Sequence, residues 1–396
     1  MKWVSSFRYL PINYGVSLAK VENQTQRVVF ENNLEGEKIR LRFSNRYSGK
    51  TLTLQSVSVG MVINDQIQNV QPVSRNANTV VKLAPGEECW SDELYYPVEA
   101  GNKLAVSVYV KDCQEIESIC ILWSREGAIV TNSESGDFTQ GGDFADLPAE
   151  EIYPMVKADA NKGMCFYGFT GLQVYTEDAV KTIAAFGDSI THMSYVTNAL
   201  SKRLFLEYPG KAALLNCGIG GNRLLHDATY VDMPAIGNGS CFGIAGITRF
   251  EQDVFGEEQV DIVLVLEGIN DIMHPIQFDH PDEMVTPAEL EMGYQTLIEI
   301  AHRHGAKIYG ATILPCGNKD YPEIWMEQFE ALRLDTNSRI RNGVGYDGYF
   351  DYCLAVQDDN RLEYMQERYH IGDGLHPNDA GGQEIAEQID LKKIME

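Results

Sequence analysis

The sequence predicts two domains of different fold classes: an all-β, jelly-roll-like sandwich over residues 1–172 and a flavodoxin-like α/β domain with a parallel sheet over residues 173–396. Three observations support this prediction. The chain has 396 residues, more than one hydrophobic core usually serves. Segments that alternate between polar and apolar residues fill the first part. In the second part, uninterrupted apolar runs are separated by helical patterns.

The first part carries the period-two pattern of half-buried antiparallel strands. Turn-forming clusters such as Tyr47-Ser48-Gly49-Lys50 separate these strands. Because such strands expose one face and bury the other, two packed sheets are the expected result. The segments with this pattern are 27–30, 39–43, 52–59 and 104–110.

The second part carries apolar runs of strand length, and strands that are apolar throughout belong to parallel sheets covered by helices. The segments 286–304 and 324–341 between them show the 3.6-residue period of helices. This alternation predicts a doubly wound three-layer α/β/α sandwich. The predicted strands are 182–186, 214–216, 261–266 and 306–312.

Charge and composition restrict the partners of the protein. A formal net charge of −25 argues against nucleic acid and anionic membranes, which require a basic face. A neutral small molecule or oligosaccharide is compatible with this charge. Neither a signal peptide nor a long apolar span is apparent, and the eight cysteines show no paired spacing. We therefore expect a cytoplasmic protein with reduced thiols, and the oligomeric state stays open.

Four short blocks in the second part carry side chains suited to catalysis. Since ligands bind at the carboxyl ends of the strands in such a sheet, residues that follow the strands are expected to meet there. The blocks are Gly187-Asp188-Ser189-Ile190, residues 216–222, Gly268-Ile269-Asn270-Asp271 and Asp373-Gly374-Leu375-His376-Pro377.

Together the blocks supply the parts of an acyl-transfer site. Ser189 is a candidate nucleophile, and Asp373 lies three residues before His376, so that it can orient the imidazole as a base. The glycine-rich second block and the Asn270 amide can donate hydrogen bonds to an oxyanion. Each block alone also has an ordinary explanation: a helix cap, a tight turn, a turn former or a surface histidine.

These blocks resemble those of the SGNH (GDSL-type) hydrolases. The resemblance implies a catalytic triad of Ser189, His376 and Asp373, with an oxyanion hole formed by Ser189, Gly221 and Asn270. Gly221 matches because it lies five residues after the first asparagine of its block. The chain departs from the family pattern after Ser189, where it reads Thr191-His192-Met193-Ser194. His192, within this departing stretch, and Asn222, in the second block, are candidate residues of the acyl pocket.

The first domain also resembles the β-sandwich that precedes the hydrolase domain in a bacterial subgroup of this family. The matching stretches are Arg42-Phe43-Ser44-Asn45, Pro85-Gly86 and Trp90-Ser91-Asp92. The resemblance implies a serine esterase that removes short acyl groups, with O-acetyl groups on carbohydrate as the expected substrate and without a metal or organic cofactor.

Several alternatives stay open from the sequence. Within the enzyme class, a lipase, lysophospholipase or thioesterase would prefer longer acyl chains. Outside it, the chain would be an inert carbohydrate-binding protein. Metal-dependent hydrolysis is a third alternative, although the His and Asp residues lack ligand spacing. His274 and His280 flank Pro275 and are expected in a loop, where they could contact a metal or substrate.

Overall fold

A computed structural model describes residues 1–157, 161–232, 234–318 and 320–396. The fold separates into two compact units. The first unit contains residues 1–180, 203–215 and 232–241, and the second contains residues 181–202, 216–231 and 242–396. The division at 180/181 lies beyond the predicted boundary at residue 172, because a strand of the first unit continues to Thr176.

The first unit is built from antiparallel strands, as the alternating pattern predicts. Two five-stranded sheets form most of it: β1-β17-β5-β10 with β11 beside β5, and β15-β4-β12-β7-β8. Smaller sheets are β13-β3, β16-β14-β2 and β6-β9. The strands are β1 Lys2–Arg8, β2 Ile12–Asn13, β3 Ala19–Val21, β4 Gln24–Glu31, β5 Gly36–Ser44, β6 Leu52–Leu54, β7 Ser56–Ile63, β8 Gln66–Pro72, β9 Val81–Leu83, β10 Glu88–Trp90, β11 Leu94–Val98, β12 Lys103–Val110, β13 Gln114–Ile116, β14 Ser118–Leu122, β15 Ala128–Asn132, β16 Met164–Phe166 and β17 Gly168–Thr176.

Aromatic side chains join the two large sheets into a sandwich. Phe7 on β1 stacks on Phe30 of β4 with ring centroids 4.4 Å apart. Phe30 also stacks on Phe169 of β17, at 6.3 Å. All three rings are buried, and stacked aromatic pairs add to the free energy gained from their burial. The predicted β-sandwich is confirmed.

The α/β part of the chain contains a five-stranded sheet in the order β19-β18-β20-β21-β22. The neighbours β18–β20, β20–β21 and β21–β22 run parallel. In this order the second strand lies outside the first, as in a flavodoxin-like fold. The α/β prediction is therefore confirmed. The strands are β18 Lys181–Gly187, β19 Ala212–Gly218, β20 Ile262–Leu266, β21 Lys307–Ala311 and β22 Gly348–Phe350.

The helices alternate with these strands, and α5 and α7 pack against β18 and β21. The α-helices are α1 Ala149–Ile152, α2 Pro154–Lys157, α3 Ser189–His192, α4 Tyr195–Glu207, α5 Gly246–Phe255, α6 Ile269–Gln277, α7 Pro287–Arg303, α8 Glu323–Asn342, α9 Tyr352–Val356, α10 Asp379–Glu387 and α11 Leu391–Met395. Short 3₁₀ helices span Pro234–Phe242, Pro281–Glu283 and Glu367–Tyr369. Within the described ranges, every helix is too short or too polar to cross a bilayer.

Helix α7 shows how local sequence sets an element boundary. Thr286 accepts a hydrogen bond from the Glu289 N–H, and the Glu289 carboxylate accepts one from the Thr286 N–H. Pro287 occupies the first helical position, where its missing N–H costs nothing. This capping box starts the helix within one residue of the predicted segment 286–304.

The segment around Pro275 differs from the sequence-based expectation. It is helix α6 rather than a loop, and His274 lies inside it. Proline removes one helical hydrogen bond. Residues 269–275 are all buried, however, and this burial outweighs the local cost of the proline.

Candidate active site

Ser189 lies at the carboxyl end of β18, where the strand turns into α3. Asp188 caps this helix, since its Oδ1 accepts a hydrogen bond of 2.9 Å from the Ile190 N–H. As the first helical residue, Ser189 has an N–H with no acceptor inside the helix. No other acceptor for it is recorded among the described residues. Its hydroxyl is half-buried and faces the loop that precedes α10.

That loop brings His376 and Asp373 to Ser189. His376 Nε2 lies 2.8 Å from Ser189 Oγ, and His376 Nδ1 lies 2.6 Å from Asp373 Oδ2. The other carboxylate oxygen of Asp373 accepts from the N–H groups of Leu375 and His376, both at 2.9 Å. The structure therefore brings together the three residues that the sequence selected for the triad.

The carboxyl group of Asp373 is held in its charged form. Burial on its own would raise the pKa of Asp373, but the hydrogen bond and charge of His376, together with the two N–H groups, lower this pKa to about 2. An ionised carboxylate accepts only, so His376 carries its proton on Nδ1. Nε2 is then free to accept a hydrogen bond from the Ser189 hydroxyl, which is the arrangement that serine nucleophiles require.

Gly221 carries a second backbone N–H, in the turn whose Gly220 lies beside Ser189. It has φ +73°, a left-handed conformation that favours glycine, and a Cβ at this position would overlap the Phe242 ring. No acceptor for its N–H is recorded within the described residues. The neighbouring Gly220 N–H, in contrast, donates to His192 Nδ1 at 3.1 Å. Of the two glycines, Gly221 is therefore the one with an available donor.

Asn270 lies in the first turn of α6, after Gly268 at φ +114°. Its Nδ2 donates to the backbone oxygen of Asn222 at 3.0 Å, which holds the amide in place and leaves its second hydrogen for another acceptor. The neighbouring Asp271 accepts from the N–H groups of Leu224 and Leu225, at 2.7 and 2.9 Å. Two adjacent residues of α6 therefore hold the end of the glycine-rich block and the residues that follow it in position.

The two candidate pocket residues have structural positions instead. Asn222 is 0% exposed; its Nδ2 donates to the backbone oxygens of Phe242 and Ile244, and its Oδ1 accepts from Arg249. His192 is 3% exposed and supports the turn at Gly220. Buried side chains engaged in this way cannot line a pocket. The expected pocket role of Asn222 and His192 is therefore not supported.

Arg249 is not among the residues predicted from the sequence, yet its side chain is hydrogen-bonded to two of these blocks. It lies on α5 and donates to the backbone oxygens of Gly187 and Cys217, both at 2.9 Å. It also pairs with Asp253 and Glu267. Arg249 and Asp253 lie four residues apart beside the apolar Phe250 and Val254. Opposite charges on the apolar face of a helix are the signal that would have indicated a buried ion pair.

Buried acidic groups surround this arginine. Burial raises the pKa of Asp188 to about 7. Burial and the nearby Asp188 carboxyl raise the pKa of Glu267 well above its usual value, and burial also raises the pKa of Asp271. The site therefore combines an ionised Asp373 with three buried carboxyl groups whose raised pKa values favour the neutral form.

An apolar groove of about 470 Å³ lies between α6 and the start of α8. Met273, one helical turn after Asn270, lines one side, and Tyr321 and Trp325 line the other. Asn318, in the loop before α8, donates to the backbone oxygen of Asp373 at 3.2 Å. The groove thus adjoins elements that carry both an oxyanion donor and the triad carboxylate. Its other lining residues are Ile276, Gln277, Pro322, Ile324 and Gln328.

Three other histidines, His274, His302 and His304, have separate surroundings. His274 packs between Phe242 and Phe278, with ring centroids 4.9 and 5.0 Å away, and burial lowers its pKa to about 3. His302 pairs with Asp347 and His304 with Glu251, so these two do not share a ligand. In the part of the chain that the structure describes, no group of three His, Cys, Asp or Glu residues could hold a metal ion.

A flavodoxin-like sheet with a hydrogen-bonded Ser–His–Asp chain at its carboxyl edge is the arrangement that serine-dependent hydrolases use. The model of the GDSL-like Lipase/Acylhydrolase family matches residues 185–383, which is half of the chain. The protein belongs to this family. No curated protein sequence matches the chain.

Similar solved structures include several esterases. An α/β hydrolase enzyme from the metagenome of Lake Arreo, Spain, is 23% identical, with 53% of this chain and 93% of that chain covered and a TM-score of 0.40. The acetyl xylan esterase AlAXEase is 21% identical, with 52% and 96% covered and a TM-score of 0.39. An acetyl xylan esterase from Geobacillus stearothermophilus is 18% identical, with 54% and 94% covered and a TM-score of 0.40.

Proposed function

We propose that this protein hydrolyses carboxylic esters with Ser189 as the nucleophile. The observation that carries the proposal is the hydrogen-bonded chain from Asp373 through His376 to Ser189. Membership of an acylhydrolase family supports it. The loss of one triad member commonly lowers turnover by orders of magnitude, so an intact set also argues against an inert binding protein.

In the first half of the reaction, His376 Nε2 takes the proton of Ser189 Oγ as this oxygen bonds to the ester carbonyl carbon. The carbonyl oxygen becomes an oxyanion held by the N–H groups of Ser189 and Gly221 and by Asn270 Nδ2. The intermediate then breaks its bond to the alkoxy oxygen, which receives the proton from His376 and leaves as alcohol. The acyl group stays on Ser189.

In the second half, His376 takes a proton from water as the water oxygen bonds to the acyl carbon. The resulting intermediate expels Ser189 Oγ, which regains its proton from His376, and the carboxylic acid departs. Asp373 stays ionised throughout, holding the imidazole in its tautomer and stabilising the imidazolium. Each group thus returns to its initial state without a cofactor.

For the substrate, we propose short acyl groups, acetyl in particular, on a carbohydrate. The β-sandwich that precedes the hydrolase fold supports this, because the family members it resembles act on carbohydrate esters. A formal charge of −25 suits a neutral acylated sugar better than a polyanion or an anionic membrane. We also propose that the reaction takes place in the cytoplasm, which the eight free cysteines support.

A second candidate is an esterase or lipase for longer acyl chains. The apolar groove beside α6 favours it, since a hydrophobic slot of about 470 Å³ can accept a medium-length hydrocarbon chain. The two sides of this groove come from α6 and α8, which are far apart along the chain.

The test is hydrolysis of p-nitrophenyl acetate and p-nitrophenyl octanoate by wild type and Ser189→Ala, with and without a chelator. We expect acetate turnover that falls at least about 1,000-fold in the variant and is unchanged by the chelator. Ser338→Ala, an exposed serine on α8, is the control and should keep full activity.

The outcomes separate the candidates. A preference for octanoate in kcat/KM would select the longer-chain esterase, and release of acetate from an acetylated oligosaccharide would support the carbohydrate substrate. Activity that persists in Ser189→Ala would exclude Ser189 as the nucleophile. Inhibition by the chelator would favour a metal-dependent reaction.

A further inference from the structure

The Arg249 side chain is buried next to the blocks that carry the oxyanion donors, and all five of its N–H groups donate hydrogen bonds. Nε donates to Asn222 Oδ1 at 2.7 Å. Nη1 donates to the Cys217 backbone oxygen at 2.9 Å and to Asp253 at 3.2 Å. Nη2 donates to the Gly187 backbone oxygen at 2.9 Å and to Glu267 at 3.3 Å. The guanidinium also lies 4.1 Å from the centre of the Phe186 ring.

These contacts reach all three segments that supply the proposed oxyanion hole. Gly187 lies two residues before Ser189, and Asn222 directly follows Gly221. Glu267 lies three residues before Asn270. The Asn222 backbone oxygen in turn holds the Asn270 amide at 3.0 Å. One planar group is therefore bonded to each of the segments that must hold a donor in place.

The relative position of these segments matters because an oxyanion hole works by preorganisation. Its donors must already lie at hydrogen-bond distance from the developing charge, and a misplacement of about 1 Å can cost about 100-fold in rate. Here the donors come from three different strand ends, so no single loop fixes their geometry. A rigid guanidinium fork bonded to all three segments can fix it.

We propose that Arg249 is the positioning residue of the oxyanion hole, which sets the mutual distances of the Ser189, Gly221 and Asn270 donors without touching the substrate. This inference rests on the proposed esterase function. The role requires an arginine, because a lysine keeps the positive charge but has three donors at one point instead of five in a plane.

The test compares Arg249→Lys with Arg333→Lys. Arg333 is a matched control, since it is also buried and ion-paired, to Glu330, but it donates to Ile313 and Cys353 outside the four blocks. Thermal unfolding, kcat and KM for p-nitrophenyl acetate, and the inhibition constant of phenylboronic acid are measured for both. Phenylboronic acid is chosen because its tetrahedral adduct with a catalytic serine places an oxygen in the oxyanion hole.

We expect both variants to lose similar thermal stability, but only Arg249→Lys to lose about 10- to 100-fold in kcat, with KM within about twofold of wild type. Its inhibition constant for phenylboronic acid should rise by a similar factor. Equal kcat values in the two variants, or a loss confined to KM, would overturn the inference.

If Arg249→Lys fails to fold, Asn222→Ala replaces it, because this change removes only the Nε contact of Arg249 and the two amide bonds of Asn222. A lowered kcat at unchanged KM would support the positioning role, and an unchanged kcat would overturn it. Wild type without esterase activity, or Ser189→Ala with full activity, would instead reject the proposed function, and the inference would fall with it.

Discussion

The carboxyl group of Asp188 has an unusual environment next to Ser189. One oxygen caps α3, while the other has no hydrogen-bond partner among the described residues. Burial is the largest cause that raises its pKa to about 7, against the smaller opposing effects of the Ile190 N–H, His376 and Arg249. Because a buried ionised carboxylate is costly, this group favours the protonated state near neutral pH.

The free energy of unfolding of Asp188→Asn should exceed that of wild type by a margin that grows as pH rises from about 4 to about 7. In this window the unfolded state releases the Asp188 proton while the folded state keeps it, so wild type loses on the order of 4 kcal/mol. The asparagine keeps the cap oxygen but does not ionise. Urea unfolding at several pH values measures the difference, with the exposed Asp282→Asn as control. A difference that does not change with pH would contradict the raised pKa.

At the scale of elements, the turn at residues 219–222 is the one on which the site depends most. Gly221 has a positive φ and lies against the Phe242 ring, so this turn leaves no room for a side chain at residue 221. Phe242 in turn packs with His274 and Phe278. The conformation of the turn is therefore set by packing as well as by its own sequence.

Gly221→Ala should lower kcat by about 100-fold, because its Cβ would displace the turn and the donor it carries. The matched control is Gly305→Ala, which has a similar φ of +76° but no atom within 4 Å of the added Cβ. Both variants should lose about 1 kcal/mol from the left-handed strain. Steady-state kinetics and thermal unfolding distinguish the two effects, and an equal kcat in both variants would exclude Gly221 as a donor.

At the scale of the whole molecule, the eight cysteines differ mainly in burial. Cys113 is exposed, Cys89 is half-buried and the other six are buried. Burial raises the pKa of Cys89 to about 11 and that of Cys241 to about 12. Since the thiolate is the reactive form, these thiols should react slowly in the folded protein.

Titration with an aromatic disulfide reagent at pH 8 should therefore show one fast thiol per chain, assigned to Cys113, and the rest only after unfolding. Cys113→Ser should remove the fast phase and lower the total number of thiols that react in denaturant by one. Several fast thiols in that variant would show that the buried cysteines are accessible in solution.

Local patterns predicted the elements well because they depend on residues that are close in sequence. The period-two segments became β4, β5 and β12, with segment 52–59 divided into β6 and β7, and the helical segments 286–304 and 324–341 became α7 and α8. The helix around His274 was missed because Pro275 is a strong local breaker, and the packing that stabilises α6 is not local.

The sequence alone determined the two fold classes and the identity of the residues in the four blocks. Only the tertiary structure decided how these residues meet. His376 and Ser189 lie 187 positions apart in the sequence, yet His376 Nε2 is 2.8 Å from Ser189 Oγ. It also placed Asn222 and His192 in the interior rather than in a pocket. Arg249 became visible in the same way, because its partners lie as many as 62 residues away, and periodicity does not report contacts at such a separation.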